Sequence, residues 1–341
     1  MATLDYTRRL SNLQNRRFDK ELNESALTKS FSTSSLPQDI KYLIESMQPI
    51  GDKYNAKTIT AANNVQKHLE RDFNLHFNRA YRTQGSVMTG TNIKVHSDFD
   101  LLTVIDRYFY PQSQPVNPYT ESDPNVDICE MRKQATEIMK SEYNIVDDKG
   151  DKCISIENQN LDRKVDIVFC YWYYSNKFNE TNDDHYKGVY LYNFNNKTKQ
   201  RDFPFATINN VNYKGDVTHD GFRRGVRLLK TLRADCEVEL KTLKSFQLTS
   251  IVYSVENSLL MYSSGSELQI AKNLSAEMKL LIEDPAKRKA VLSPNGIESP
   301  LANDEVVPDM IRLKQDLDTL IEDASKDIIN SYFIQRSILS Y

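Results

Sequence analysis

The spacing of apolar residues changes near residue 216 and divides the chain into two parts. Over residues 38–73 apolar positions recur at helical spacing, and a break at Pro49 predicts two helices there. Strand patterns then predominate, with one further helix predicted over residues 127–143. The predicted strands cover residues 77–83, 97–105, 152–156 and 164–173. The first part of the chain is therefore expected to be mixed α and β.

The second part shows helical periodicity and no strand pattern. The predicted helices cover residues 222–233, 246–262, 268–282 and 310–332. The pattern predicts an α+β core over residues 37–215 and an all-helical C-terminal domain over residues 216–341. Residues 1–36 form an N-terminal arm that we expect to be solvated and partly ordered. A docking helix is the alternative for this arm, because Leu10, Leu13 and Phe18 recur at roughly helical spacing.

Composition narrows the class of protein. Apolar residues make up 39% of the chain and charged residues 27%, values typical of a globular protein. There is no apolar run of the roughly 18 residues that a membrane span needs, and no secretory signal pattern, so we expect a cytoplasmic protein without a membrane partner. The four cysteines are scattered, which argues against a zinc site. A net charge of −3 argues against a nucleic-acid footprint over the whole surface.

The candidate chemistry lies in an Asp-x-Asp motif in the second predicted strand. Side chains two residues apart in a strand point to the same side, so Asp98 and Asp100 should share one face. Two carboxylates that close repel each other unless a cation neutralises them. Magnesium suits such a place because it prefers oxygen ligands and binds one or two carboxylates together with substrate phosphates.

A second ion requires a third carboxylate, and Asp166 is the leading candidate. Val165, Ile167 and Phe169 would occupy one face of its strand and leave Asp166 on the other. If this strand lies beside that of Asp98 and Asp100, the three acids converge on a two-metal site.

A glycine-containing turn precedes the Asp-x-Asp motif. Gly85 permits a sharp turn and a close approach to phosphate, where backbone N–H groups and the Ser86 hydroxyl can donate hydrogen bonds. A second Asp-x-Asp, at Asp316 and Asp318, lies in a predicted helix with no preceding Gly-Ser. We interpret it as a solvated helix face, since residues two apart point about 200° apart around a helix axis.

The helical half supplies further candidates for phosphate and base contacts. Arg223, Arg227 and Lys230 form a basic stripe at spacings of four and three residues. Such a stripe is either solvated or, opposite a triphosphate, neutralises phosphate oxygens, and Lys230 is the candidate contact. Ser245 suits a helix N-cap, and helix N-termini also bind phosphate oxygens. Phe246 either stacks on a base or packs in the core.

Together these motifs resemble those of a known family. Three segments are similar to the active-site motifs of polymerase-β-like nucleotidyltransferases. They are residues 84–91 (Gln-Gly-Ser-Val-Met-Thr-Gly-Thr), 97–102 (Ser-Asp-Phe-Asp-Leu-Leu) and 165–168 (Val-Asp-Ile-Val). The resemblance is narrower to one group, the bacterial cGAS/DncV-like enzymes, or CD-NTases, of anti-phage CBASS systems. It rests there on Gly90-Thr91 and on the segments 228–233, 244–248 and 296–304. The resemblance covers roughly residues 40–335.

The resemblance implies a fold and a set of roles. The fold is a polymerase-β-like core, with a mixed sheet, flanking helices and a long N-terminal helix, plus an all-helical C-terminal domain, and the active site lies in the cleft between them. Asp98, Asp100 and Asp166 would be catalytic and bind two Mg²⁺ ions, with Mn²⁺ as an alternative ion. The remaining implied contacts are with the nucleotide: Gln84, Gly85, Ser86, Lys230 and Ser245 at the triphosphate and Phe246 stacked on a base.

The implied reaction joins nucleoside triphosphates into a cyclic di- or oligonucleotide with release of pyrophosphate. The product would act as a second messenger for a separate effector protein. Without a zinc-binding cysteine cluster or an overall basic surface, we expect no double-stranded DNA activator, and we expect a monomer. Two alternatives stay open: transfer of a nucleotide to an RNA end, a protein side chain or a small molecule, and a non-catalytic nucleotide-binding module.

Overall fold

The structure is a computed structural model that describes residues 4–27, 35–97, 99–112 and 122–338, with backbone alone over residues 330–338. Its strands are β1 (Phe18–Asp19), β2 (Glu24–Ser25), β3 (Arg79–Gln84), β4 (Phe99–Pro111), β5 (Ile145–Asp147), β6 (Cys153–Asn158), β7 (Arg163–Tyr174), β8 (Lys187–Asn193) and β9 (Thr198–Asp202). Its α-helices are α1 (Tyr6–Arg17), α2 (Gln38–Met47), α3 (Asp52–Asp72), α4 (Pro124–Glu142), α5 (Asn176–Thr181), α6 (Pro204–Val217), α7 (Gly221–Asp235), α8 (Ser245–Ser254), α9 (Asn257–Leu260), α10 (Glu267–Glu283), α11 (Pro285–Ala290) and α12 (Val306–Ile338).

The seven strands β3 to β9 form one mixed sheet. Its central path runs β3-β4-β7-β6-β5, and β8 and β9 extend it from the C-terminal part of β7. β4 and β7 are parallel, whereas the other pairs are antiparallel. Helices α3 and α4 cover one face and bury the odd-numbered positions of β4 and β7, including Phe99, Leu101, Val165 and Ile167. The even-numbered positions, including Asp100 and Asp166, therefore belong to the other face.

The sequence predicts most of these elements. The four predicted strands correspond to β3, β4, β6 and β7, and the break at Pro49 separates α2 from α3. The mixed sheet and the helical C-terminal region confirm the predicted α+β fold. Five strands have no counterpart in the prediction, namely β1, β2, β5, β8 and β9. One predicted helix, 246–262, is wrong as a single element: α8 ends at Ser254 because Val255 adopts an extended backbone, and its buried side chain continues the apolar pattern across the break.

The N-terminal arm differs from the solvated terminus that we expected. Helix α1 packs on the helical half, and Leu13 and Arg9 are each only 1% exposed. Arg9 forms a buried ion pair with Asp316 of α12, so the docking-helix alternative describes residues 6–17 better. The same pair overturns the solvated interpretation of Asp316. Residues 1–3 and 28–34 of the arm lie outside the described part.

One large apolar core unites α1 and α2 with α7, α8, α10 and α12. The predicted domain boundary at residues 215 and 216 falls inside helix α6 and stays a prediction. Among the described residues, no helix is both long enough and apolar enough to cross a membrane.

Candidate active site

Four neighbouring strands place four polar residues in one row across the sheet. Asp100 on β4 and Asp166 on β7 are directly paired in the parallel register. Gln84 on β3 pairs with Asp100, and Ser155 on β6 pairs with Asp166. The two central carboxylates thus come from strands more than 60 residues apart in sequence yet lie side by side, as the alternation of side chains requires.

Hydrogen bonds from both ends of the row orient these carboxylates. Gln84 Nε2 donates to Asp100 Oδ2 at 3.0 Å, and the Ser155 hydroxyl donates to Asp166 Oδ1 at 2.5 Å. Lys164 Nζ lies 3.5 Å from the same Asp166 oxygen, where it forms a partly exposed ion pair. Asp98, the third predicted carboxylate, lies outside the described residues. Within the described part no cluster of three or more potential metal ligands occurs.

The Gly85-Ser86 turn follows β3 directly and is closed by its own backbone. Gly85 has φ 114° and Gly90 has φ 65°, conformations that favour glycine. The Met88 N–H donates to the Gly85 carbonyl at 3.1 Å, and the Thr91 N–H donates to the Ser86 carbonyl at 2.9 Å. The turn therefore lies at the end of the strand that pairs with Asp100, which places its backbone beside the carboxylate row.

Lys230 reaches this turn from helix α7. Its side chain is 9% exposed, and Nζ donates to the Thr91 carbonyl at 3.1 Å. Burial, and secondarily the neighbouring charge of Arg227, lowers the pKa of Lys230 to about 8. Among the described residues, no carboxylate offsets this burial, so a bound anion would stabilise the ammonium form.

Ser245 and Phe246 open helix α8. The sequence places Ser245 at the N-cap, but this is wrong by one position: the helix begins at Ser245 and Lys244 occupies the cap. The Ser245 hydroxyl therefore does not cap the helix. Ser245 is exposed to solvent. Phe246 is 39% exposed, which excludes the core-packing alternative for this ring.

A cavity of about 460 Å³ brings the predicted residues together. It lies between the sheet and the helical half, in the predicted cleft. Its walls include Asp100 and all six residues predicted to contact the nucleotide, namely Gln84, Gly85, Ser86, Lys230, Ser245 and Phe246.

The sequence misses one wall of this cavity. Asp202, at the end of β9, and the first turns of α6 complete the lining. Burial raises the pKa of the Asp202 carboxyl, although the Phe203 N–H donates to it at 2.7 Å. Asp202 is not predicted from the sequence because the strand that ends with it, β9, is not predicted either. Its only signal in the sequence is its position immediately before Phe203-Pro204, where a strand meets a helix.

A smaller chamber of about 250 Å³ adjoins the cavity and shares Ser86, Lys230 and Ser245 with it. Lys94 and Arg233 also line this chamber. Its described lining contains no Asp or Glu, whereas the larger cavity contains Asp100 and Asp202. The shared residues thus mark the boundary between a basic chamber, which favours polyphosphate, and a chamber with carboxylates and an aromatic ring.

Comparison with known proteins identifies the family. No family model matches the chain. A protein named "c-di-GMP synthase" from Lachnospiraceae bacterium (strain RUG226) is 30% identical over 285 residues, which span 75% of this chain and 80% of the relative. This chain belongs to the bacterial cGAS/DncV-like nucleotidyltransferases, the CD-NTases. It is therefore an enzyme of the nucleotidyltransferase class.

Two solved CD-NTase structures agree in fold over nearly the whole chain. The STING-associated CdnE c-di-GMP synthase of Capnocytophaga granulosa is 27% identical, with a TM-score of 0.79 over 95% of this chain and 99% of that protein. The corresponding CdnE from Flavobacteriaceae sp. is 23% identical, with a TM-score of 0.81 over 94% and 99% of the two chains. The polymerase-β-like core with a helical C-terminal domain, predicted from the motifs, is thereby confirmed.

Proposed function

We propose that this CD-NTase joins two GTP molecules into cyclic di-GMP, releases pyrophosphate, and thereby supplies a second messenger to a separate effector in anti-phage defence. The observation that carries the proposal is the Asp100–Asp166 pair, which lies beside a phosphate-binding turn, with Asp100 lining a cavity that also contains an exposed aromatic ring. The matched c-di-GMP synthases support the product, and the STING association of two of them supports an effector that binds it.

The donor set fits magnesium. Asp100 and Asp166 present carboxylate oxygens from adjacent strands, and the Asp166 side chain is 17% exposed, so it is open to a ligand. We propose that they hold two ions together with Asp98, whose place next to β4 follows from the sequence alone. Magnesium, when bound, neutralises triphosphate charge and lowers the pKa of an attacking 3′-hydroxyl.

The other residues of the cavity position the substrate. We assign Ser86, Lys230 and Ser245 to the triphosphate, because they line both the cavity and the basic chamber. We assign Gly85 to it as well, because it precedes Ser86 in the same turn and lines the cavity. We assign the exposed Phe246 ring to stacking on a base. Catalysis then consists mainly of holding the acceptor hydroxyl in line with the α-phosphate and excluding bulk water.

We propose that Asp202 favours guanine as the base, because it lines the cavity that also contains Phe246. An ionised carboxylate only accepts hydrogen bonds, and guanine offers two adjacent N–H donors on its Watson–Crick edge, whereas adenine places an acceptor there. Donors of this kind would also satisfy a carboxylate whose burial is otherwise unfavourable.

Product analysis tests the proposal directly. The protein is incubated with magnesium and all four nucleoside triphosphates, treated with phosphatase, and the mixture is examined by mass spectrometry. We expect phosphatase-resistant cyclic di-GMP that forms equally well with GTP as the sole nucleotide. Nucleotide attached to RNA, protein or a small molecule would favour another acceptor. Triphosphate binding without pyrophosphate release would favour a non-catalytic module.

The lowered pKa of Lys230 predicts a pH dependence of substrate binding. The ammonium form attracts phosphate, and it is lost as the pH rises through about 8. We therefore expect the KM for GTP to be constant below this pH and to rise above it, by at most about tenfold per pH unit. Arginine remains charged at these pH values, so Lys230→Arg should show a flat profile between pH 7 and 9. Identical profiles for the two proteins would exclude Lys230 as the titrating group.

A further inference from the structure

Helix α7 contacts three consecutive carbonyl groups at the end of residues 85–91, the segment that we call the phosphate-binding turn. Arg223 Nε donates to the Thr89 carbonyl at 3.1 Å, Arg227 Nη1 donates to the Gly90 carbonyl at 2.6 Å, and Lys230 Nζ donates to the Thr91 carbonyl at 3.1 Å. The three cations are spaced four and three residues apart and so share one face of the helix. The basic stripe is therefore neither solvated nor wholly directed at a substrate. Most of it binds the protein's own backbone.

The site around Arg223 is shaped for its guanidinium group. A Cβ atom at Gly90 would lie 3.4 Å from Arg223 Cδ, and a Cβ atom at Gly215 would lie 2.3 Å from Arg223 Cζ. On the helical side, Nη2 donates to the Asn212 carbonyl at 3.1 Å and to the Asp216 carboxylate at 2.8 Å. Arg223 thus passes between two glycines and joins the turn to the end of helix α6.

Arg227 makes an equivalent connection to a different element. It is 1% exposed, and its Nε donates to the Met47 carbonyl at the end of α2 at 2.7 Å. Its Nη2 contacts Asp220 Oδ2 at 2.5 Å. Burial lowers the pKa of Arg227 to about 10, so the group is still charged at neutral pH. A charged, fully buried guanidinium with three acceptors fixes its neighbours strongly, because charge-assisted hydrogen bonds are stronger than neutral ones.

We infer that Arg223 and Arg227 are positioning residues that hold the phosphate-binding turn against the helical half and thereby set the affinity of the enzyme for triphosphate. The inference rests on the proposed function of the turn. Both arginines act through the backbone: they fix the carbonyls of Thr89 and Gly90, and so hold in place the turn whose first residues, Gly85 and Ser86, line the cavity. Lys230 is the third basic residue of this helix face that contacts the turn, and it also lines the cavity.

Arg223→Gln tests this role, and Arg224→Gln is the matched control. Arg224 lies on the same helix, with Nε 3.5 Å from Asp220 Oδ2 and Cζ 3.7 Å from the Tyr262 ring centroid. Among the described residues, its side chain has no hydrogen bond or ion pair with the turn. Binding of a non-hydrolysable GTP analogue is measured by calorimetry, together with KM and kcat. We expect Arg223→Gln to raise Kd and KM about tenfold or more, the effect of losing a charge-assisted hydrogen bond. We expect kcat to change much less, and Arg224→Gln to bind like the wild type.

Gly215→Ala provides a second test that keeps every charge. Gly215 lies in helix α6 and has no positive φ, so alanine suits its backbone, but the added methyl group must displace the Arg223 guanidinium. We expect weaker analogue binding than in the wild type. The double variant Gly215→Ala/Arg223→Gln should bind no worse than Arg223→Gln alone, because both changes remove the same contact.

The outcomes separate this inference from the proposed function. Wild-type analogue affinity in both Arg223→Gln and Gly215→Ala would overturn the positioning role, as would an equal loss of affinity in Arg224→Gln. If the wild-type protein binds the analogue but forms no cyclic product, the proposed function fails while the binding comparison still decides the role of Arg223. Should Arg223→Gln fail to fold, Gly215→Ala gives the decision by itself.

Discussion

Replacing Asp100 or Asp166 with asparagine should abolish synthesis of the cyclic product, with a loss of about 1,000-fold or more, as expected when charge stabilisation is removed from a phosphoryl-transfer site. The two carboxylates are directly paired across β4 and β7, so removal of either one leaves an incomplete donor set for a divalent ion. Asparagine has nearly the same shape as aspartate and retains an oxygen acceptor. The Gln84 and Ser155 contacts should therefore persist and the fold should be unchanged.

Asp106→Asn is the matched control for this experiment. Asp106 lies on the same strand as Asp100, but it is exposed and accepts a hydrogen bond from the Trp172 ring at 2.8 Å, away from the cavity. Rates are measured with radiolabelled GTP, and the thermal unfolding midpoint is measured for each variant. Asp106→Asn should keep near-wild-type activity. A wild-type rate in Asp100→Asn or Asp166→Asn would show that the metal assignment is incorrect.

Replacing Asp19 with alanine should destabilise the protein severely. Asp19 Oδ2 lies 2.8 Å from Arg163 Nη2, and both side chains are 0% exposed. Arg163 also donates to Thr58 and to the Asp162 carbonyl, so it cannot turn toward solvent without breaking these contacts. Truncating one partner of a buried pair leaves an uncompensated charge, which costs about 3–5 kcal/mol. We expect a correspondingly lower free energy of unfolding in a urea titration.

Two comparisons make this experiment specific. Glu24→Ala removes the exposed ion pair of the same hairpin, with Lys53, and should leave the stability almost unchanged. Burial opposes ionisation of Asp19, but the hydrogen bonds from Arg163 and from the Leu22 N–H prevail and lower its pKa. The stabilisation is thus present above the usual aspartate pKa of about 4 and is lost as the pH falls through the lower folded value. If Asp19→Ala is as stable as Glu24→Ala, the pair does not stabilise the fold.

Local patterns are sufficient to assign each carboxylate to a face of its strand and to predict the turn. Period-two alternation in β4 and β7 assigns Asp100 and Asp166 to one face, and a glycine next to a serine predicts a tight, phosphate-accessible turn. The pairing of the two strands could not be derived from periodicity, because register depends on contacts distant in sequence. From the sequence it is a hypothesis, and the structure shows the two strands paired in parallel with Asp100 opposite Asp166. The role of Asp98 stays a prediction from the sequence.

Other features depend on partners that no local pattern reveals. Helix α1 is too polar to be predicted as buried, yet Arg9 is inside because Asp316 of a distant helix neutralises it. Arg223 and Arg227 form a basic stripe whose acceptors are backbone carbonyls, and these have no signature in the side-chain pattern. Strand β9 was missed because its sequence, Thr-Lys-Gln-Arg-Asp, is polar and its residues are mostly exposed at the edge of the sheet.

The chain crosses from one wall of the cleft to the other at residues 16–19. Arg16 binds Asp235 of the helical wall through two hydrogen bonds of 2.7 and 2.8 Å, and its carbonyl accepts from the Val95 N–H of the sheet wall at 3.0 Å. Three residues later, Asp19 is anchored to the first residue of the strand that carries Asp166. A hinge motion that widened the cleft on this side would have to break these hydrogen bonds and the Asp19–Arg163 ion pair. The N-terminal segment therefore restrains the distance between the sheet and the helical half.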